Sequence, residues 1–212
     1  MYRFKALALV SGLFLLFPFT ASSQVDLALK VRVTDYQGTF GETYNAIGYE
    51  PSLTIKPGDK LWAAGLSYSK NALTYDADSE LKGRLNLVQF HGGVKTSVGS
   101  YVHPFAYALV GFRFMRFDNK AVASDEDPLF TSLSLGYGGR AGLQLGKGRW
   151  RFEGSIDYLT GTNARYVTPE SFRKATETGK SYRDFADRSP ISGVTVAAGI
   201  TYAITRNDVT IE

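Results

Sequence analysis

Two histidines, His91 and His103, are the first residues in the chain that could carry proton chemistry. A general base must come within about 3 Å of the nucleophile it activates. Neither histidine sits in a His-x-Ser arrangement: the runs are His91-Gly92-Gly93 and His103-Pro104-Phe105. Carboxylates, which are hard-cation ligands, gather twice, as Asp76, Asp78 and Glu80 and as Asp125, Glu126 and Asp127. Neither group has a full calcium-loop spacing, and both read as solvated loops. With no cysteine anywhere, disulfides and thiolate metal sites are excluded. No resident metal and no cofactor are expected. A third set of charges recurs at alternate positions: Lys30, Arg32, Glu50, His91, Arg140, Arg151, Glu153 and Asp157. Their value depends on where the backbone aims them.

The elements that aim them are strands. Alternate residues of a strand point to opposite faces, and the chain obeys this period repeatedly. Val25, Leu27, Leu29, Val31 and Val33 share one face of a first strand, and Asp26, Ala28, Lys30, Arg32 and Thr34 the other. Ile47, Tyr49, Leu53 and Ile55 oppose Gly48, Glu50, Ser52, Thr54 and Lys56. A third strand carries Trp62, Ala64, Leu66 and Tyr68, and a fourth carries Val88, Phe90 and Val94 against Gln89, His91, Gly93 and Lys95. The sixth, seventh and eighth strands repeat the pattern around Leu133–Leu145, Trp150–Tyr158 and Val194–Ile204. A fifth, near Tyr101–Phe117, is apolar on both faces, and a bulge near Gly111 could re-aim its side chains.

Alternation leaves open which face looks outward, and composition decides it. The polar face is mostly Gly, Ala, Ser and Thr with charges of both signs, which suits a narrow interior. The apolar face is bulky and carries Trp62, Tyr68, Tyr137, Trp150, Tyr158 and Tyr202. Aromatics of this kind form girdles where lipid meets water. The fold class implied is all-β: an eight-stranded antiparallel up-and-down transmembrane β-barrel. The charged residues that alternation places on the polar face then form a polar network in the lumen. At eight strands an interior is just filled by side chains, so these charges should pair and plug it.

Ahead of the strands, Arg3 and Lys5 precede an apolar run from Ala6 to Phe17, then Pro18 and the small residues Ala21-Ser22-Ser23. This reads as a signal peptide over residues 1–23, with the barrel over 24–212. The run is shorter than the roughly 20 residues a spanning helix needs. Without Arg3 and Lys5 the formal charge falls from +4 to +2, too weak to argue for nucleic acid.

Connections alternate short and long. Pro57-Gly58-Asp59, Ser97–Ser100 and Gly146-Lys147-Gly148 are tight turns, whereas the segments near 35–43, 70–83, 118–130 and 161–191 are long. Short periplasmic turns and long extracellular loops are the pattern of bacterial outer-membrane barrels. The last loop is the most individual. Thr168-Pro169-Glu170 reads as an N-cap, a first-turn proline and an acidic first turn, so a short helix should follow to about Ala175. Six basic and four acidic residues there are interleaved with Phe172, Tyr182 and Phe185.

The signal peptide, the eight alternating strands and the stretch Tyr101-Val-His-Pro-Phe-Ala-Tyr-Ala-Leu-Val-Gly111 together resemble the small outer-membrane β-barrel superfamily, OmpA-like and OmpX-like. The resemblance covers the whole mature chain. It implies integral residence in the bacterial outer membrane, contact with outer-membrane lipid and lipopolysaccharide, and insertion by the barrel assembly machinery. Barrels of this family often end on an aromatic, whereas here Arg206–Glu212 follow the eighth strand, and no peptidoglycan-binding domain is expected. The function implied is structural or surface-recognition work through the extracellular loops, without enzyme activity. The alternatives are a lipid A modifying enzyme, a narrow channel and a soluble periplasmic lipocalin-like carrier.

Overall fold

The computed structural model describes residues 23–74, 81–119 and 129–205. The expected leader, both acidic runs and the segment Arg206–Glu212 lie outside them. Eight strands close into one antiparallel barrel: β1 (Gln24–Gln37), β2 (Asn45–Lys56), β3 (Trp62–Thr74), β4 (Leu81–Lys95), β5 (Val102–Asn119), β6 (Phe130–Leu145), β7 (Trp150–Gly161) and, after a folded excursion, β10 (Ser192–Thr205). Each pairs with its chain neighbour, and β10 closes on β1, with Gln24 opposite Thr205 and Gln37 opposite Ser192. Closure leaves the barrel itself no edge strand, as a hydrocarbon environment demands of a sheet. Among the described residues no helix is long and apolar enough to cross a membrane, so the strands do the crossing.

The excursion contains two strands that the alternation did not show. β8 (Asn163–Tyr166) and β9 (Asp187–Pro190) pair with one another as a separate two-stranded sheet outside the barrel. Their four-residue length is too short for a period of two to stand out. Between them run α2 (Pro169–Thr178) and a 3-10 turn at Tyr182–Asp184. The first long connection likewise holds a short helix, α1 (Gly38–Gly41).

Strand five has no bulge at Gly111. Its register against β4 and β6 is continuous, from Leu81 opposite Asn119 to Lys95 opposite Phe105 and from Val102 opposite Leu145 to Phe117 opposite Phe130. His103, Phe105, Tyr107, Leu109, Arg113, Met115 and Phe117 point inward and are buried; Val110, Phe112 and Phe114 point outward. Both faces are apolar because the interior beside β5 is itself an apolar core. The one interrupted ladder is between β2 and β3, where pairing passes from Tyr49–Lys70 directly to Ser52–Ser67. Pro51 stands in the gap and has no N–H to give.

Outside, the barrel is apolar. Val31, Leu133 and Trp150 are 61 %, 60 % and 66 % exposed, and most other outward positions in the middle of the wall are Val, Leu, Ile or Phe. Such a surface in water would be a continuous aggregation site; against lipid it is the stabilising face. The soluble-carrier reading therefore fails on the exterior, and it fails again on the interior described below. Trp62, Trp150 and Tyr202 lie at the short-turn rim, with the Trp150 and Tyr202 rings 4.8 Å apart. Tyr68, Tyr137 and Tyr158 form a second ring toward the long loops. Trp150 and Tyr158 are eight residues apart on β7, which at roughly 3.4 Å per residue and a tilt of about 40° gives about 21 Å of height. That is close to the apolar band of an outer-membrane barrel.

Candidate functional site

The lumen is filled from the short-turn end upward. At the bottom, Lys95 Nζ pairs with Asp26 and donates 2.7 Å to Gln144 Oε1. Gln144 Nε2 donates 2.8 Å to Glu153 Oε2, which also accepts from Thr201 Oγ1 at 2.7 Å. Arg151, half-buried at the mouth, reaches Gln144 Oε1 at 3.4 Å and the Gly148 carbonyl at 3.3 Å. One step up, Lys30 Nζ lies 2.9 Å from Glu153 Oε1 and 3.0 Å from Glu50 Oε1.

Glu50 is the centre of the network. Arg32 Nη1 donates 2.6 Å to its Oε2, and Arg140 Nη1 lies 2.7 Å from its Oε1. Arg140 also grips Asp157 with two parallel bonds of 2.7 Å, Nε to Oδ1 and Nη2 to Oδ2. Two-pronged pairing of this kind is the strongest form of charge-assisted hydrogen bond. Glu50 and Asp157 have no exposed surface. An unpaired charge so placed would cost several kcal/mol, and convergence of three cations on Glu50 removes that cost. Alternation brings these residues together: each lies on the inward phase of its strand, at heights that meet once the barrel closes.

His91 belongs to the same interior. Its Nε2 and Thr54 Oγ1 share a hydrogen bond of 2.8 Å, and its ring lies 5.2 Å from that of Tyr107. His103 is near the short turns, where its Nδ1 and Ser97 Oγ are 2.8 Å apart and its ring also meets the Gly146 backbone. A histidine-serine contact is the start of a hydrolytic pair, but here a backbone group, not a carboxylate, orients the ring. Among the described residues no three side chains are grouped to hold a metal.

Three lumen charges were not singled out by the sequence. Asp26 and Lys95 share the inward phase of Lys30 and of His91, so alternation could have found them. Arg113 lies on the doubly apolar β5 and had no such signal. Among the described residues, five buried cations (Lys30, Arg32, Lys95, Arg113, Arg140) face four buried carboxylates (Asp26, Glu50, Glu153, Asp157). Arg113 is the one left over, and it turns to carbonyls instead: Nη2 donates 3.0 Å to Thr160 O, and Nη1 donates to Ile191 O. Gly136 makes room for it, since a Cβ there would stand 2.8 Å from Arg113 Nε.

Above Arg113 the interior changes character. Tyr36, Leu85, Leu87, Met115, Phe117, Phe130 and Leu159 are buried inside the barrel. The space between the two zones, lined by Arg32, Thr34, Tyr36, Leu87, Arg113, Leu159, Gly193 and Thr195, is about 10 Å³, room for about one water. The expectation of small residues throughout the lumen is thus corrected for its upper half, which is sealed by large apolar side chains.

The last long loop closes over this seal. Tyr166 of β8 is fully buried, with its ring 4.9 Å from Phe40 of α1, which in turn lies 5.0 Å from Tyr44. Tyr44 donates its hydroxyl hydrogen to the Val167 carbonyl. Burial raises the Tyr166 hydroxyl pKa. Next comes α2, capped at both ends. Thr168 Oγ1 accepts from the Ser171 N–H at 3.2 Å, Ser171 Oγ accepts from the Thr168 N–H at 2.7 Å, Pro169 opens the first turn, and Gly179 ends the helix at φ 65°. The helix runs to Thr178, one turn beyond the expected Ala175. Phe172 is buried and stacks on Tyr182 with rings 5.5 Å apart and 11° from parallel. The opposite side of the loop is exposed and charged: Arg165, Arg173, Lys174, Lys180, Arg183 and Arg188 against Glu170, Glu177, Asp184 and Asp187.

An apolar exterior between two aromatic rings, around a charged and filled interior, defines a transmembrane β-barrel of the outer-membrane kind. The fold is also that of a solved structure. Neisserial surface protein A is 12% identical, with 85% of this chain and 96% of that one covered at a TM-score of 0.52. Ail of Yersinia pestis (12% identity, 87% and 99% covered, TM-score 0.47) and the N-terminal barrel of Pseudomonas aeruginosa OprF (13%, 85% and 97%, TM-score 0.41) also match. No family model and no curated protein matches the sequence.

Proposed function

We propose that this outer-membrane barrel is a non-conducting, non-catalytic anchor that presents its last long loop for recognition at the cell surface. The observation that carries the reading is the loop's division of labour. Its apolar residues Tyr166, Val167, Phe172 and Ile191 are buried, and its ten charges face outward. Loops held rigidly on a scaffold are the usual carriers of recognition, and preorganisation lowers the entropic cost of binding. The filled lumen supports the absence of conduction, and the lone histidine-serine contact supports no hydrolytic assignment.

The test replaces residues 168–186 with a short Gly-Ser linker between Val167 and Asp187. Heat-dependent gel mobility would verify that the barrel still folds. Cells displaying either chain would then be washed over immobilised proteins and polysaccharides. Retention of the wild type and loss with the linker is the expected result; equal retention of both would overturn the loop assignment. Planar-bilayer recording supplies the second arm, and resolvable steps with the wild type would restore the channel reading.

A further inference from the structure

Two guanidinium groups share one enclosure. The space of about 10 Å³ at the boundary between the charged and apolar zones of the lumen has Arg32, Thr34, Tyr36, Arg113 and Thr195 among its walls. Leu87 and Leu159 close it on other sides. Arg32 and Arg113 are only 2 % and 3 % exposed, and arginine keeps its charge inside a protein. Like charges brought together away from water repel strongly.

The charges around this space do not balance. Among the described residues, the four buried carboxylates of the lumen are taken up by Lys30, Arg32, Lys95 and Arg140. Arg113 is the fifth buried cation, and five against four leaves one positive charge. His91 adds to that excess when charged and leaves it unchanged when neutral. The Thr160 and Ile191 carbonyls that Arg113 binds are dipoles without net charge. An unpaired cation held away from water is costly, and a bound anion removes that cost.

The walls also hold more donors than acceptors. A guanidinium has five N–H groups. Arg113 spends two of them on carbonyls. Arg32 spends one on Glu50 and one on Thr195, and its Nε is buried with no partner among the described residues. Thr34 Oγ1 and Thr195 Oγ1 are 2.8 Å apart, and either can donate. Two hydroxyls that share one such bond leave one hydrogen over, and both side chains line the space. Buried donors are normally matched by acceptors, yet among the described residues lining the space there is no carboxylate.

We infer that this space is a binding site for a single monoatomic anion, a halide such as chloride. Size and charge carry the choice of ligand. The room is about that of one water, and a chloride is only slightly larger. Sulfate, phosphate and carboxylates have several heavy atoms and do not fit. One negative charge balances the lumen, whereas two would overshoot. The leucine walls offer nothing to replace the hydration shell of a doubly charged ion. The halide would bridge the Arg32 and Arg113 guanidiniums and accept from the threonine pair. Arg113 also holds the carbonyls of Thr160, at the end of β7, and Ile191, just before β10. The ion therefore completes the junction between the last loop and the lumen, whatever that loop recognises.

The experiment folds the chain from Gln24 onward in detergent with sodium bromide and crystallises it, with anomalous scattering at the bromine edge locating the halide. One bromide peak between Arg32 and Arg113 is the expected result. The second readout is urea unfolding in micelles, with chloride exchanged for gluconate at fixed ionic strength. An ion that binds only the folded barrel should raise the folded-to-unfolded ratio about tenfold for each tenfold rise in chloride above its Kd. Arg113→Gln should lose the peak and roughly 10- to 100-fold in chloride affinity, the worth of a hydrogen bond to a charged group. Thr34→Val leaves the charges in place and removes one donor. It should lose a few-fold, and it keeps the test open if the arginine variant does not fold. Lys147→Gln, which removes one positive charge at a short turn, should match the wild type. Heat-dependent gel mobility verifies folding of each variant. Bromide found only at the surface, or stability that does not depend on chloride, would overturn the site. So would a peak and a chloride dependence that both variants leave unchanged.

Discussion

The two halves of the barrel interior solve the same filling problem with opposite chemistry. Toward the short turns the space is filled by ion pairs among Asp26, Lys30, Arg32, Glu50, Lys95, Arg140, Glu153 and Asp157. Toward the long loops it is filled by Tyr36, Leu85, Met115, Phe117 and Phe130, with Phe40, Tyr44 and Tyr166 laid across the top. Charged filling is directional and interdependent, because every ion removed leaves another uncompensated. Apolar filling is closer to additive between side chains that do not touch, because each contributes its own area and van der Waals contact. Arg113 marks the boundary, bound by neither a carboxylate nor an apolar contact alone but by the carbonyls of Thr160 and Ile191.

The largest effect should come from breaking the charged half. Arg140→Leu strands Asp157 and weakens the hold on Glu50, and removing one member of a buried pair costs about 3–5 kcal/mol. Urea unfolding of the barrel in detergent micelles reads the loss. The double variant Arg140→Leu/Asp157→Leu should recover much of it, since both charges are then gone. A single variant costing no more than a surface substitution, or a double variant no better than the single, would remove the contrast between interdependent and additive filling.

The apolar half gives the companion measurement. Met115→Ala should cost roughly 3 kcal/mol from lost transfer and the cavity left behind. Combined with Leu159→Ala on β7, a strand not paired with β5, the losses should be close to additive. Coupling as strong as that between Arg140 and Asp157 would erase the distinction.

This contrast also accounts for what the sequence could show. The charged half was legible because Lys30 and Arg32, or Glu153 and Asp157, alternate with bulky apolar residues, and a period of two with a polarity difference declares both the strand and its faces. The upper half was not. Leu85 and Leu87 look like Val88 and Phe90 in kind, and Met115 looks like Phe114, although each pair divides between lumen and lipid. Where a membrane barrel seals its interior with apolar side chains, period-two polarity vanishes and face assignment goes with it. The same loss hid Arg113. The helix in the last loop was legible from Thr168-Pro169-Glu170 because capping is a local code, whereas β8 and β9 depend on pairing across a long separation.

Arg113→Gln tests the boundary. Hydrogen bonds to a charged donor are worth about 1.5–3 kcal/mol, and glutamine is too short to reach both carbonyls. The expected outcome is faster amide hydrogen exchange around Ile191, with β1–β4 exchange little changed. Exchange rising uniformly around the barrel would mean that Arg113 supports the whole wall and not the junction between loop and lumen.

The smallest effect belongs to the loop outside the seal, where charges are exposed and solvent screens them. Lys174 Nζ lies 2.7 Å from Glu170 Oε1 one turn back on α2, and this hydrogen bond, with the charge of Lys174 behind it, lowers the Glu170 carboxyl pKa. Its negative charge also sits in the first turn, where the helix dipole favours it. A carboxylate whose folded pKa lies below its unfolded one contributes stability above the unfolded pKa and loses it as pH falls through the folded one. Protection of the α2 amides, corrected for intrinsic exchange, should therefore decline modestly on acidification below about pH 4.3, the ordinary glutamate value. Glu170→Gln should flatten that decline while leaving Tyr166 and Phe40 as protected as before, because the seal is held by apolar contact. If acidification instead loosens the Tyr166–Phe40 contact along with the helix, the loop and the apolar half open as one unit, and the upper interior shares the interdependence of the lower.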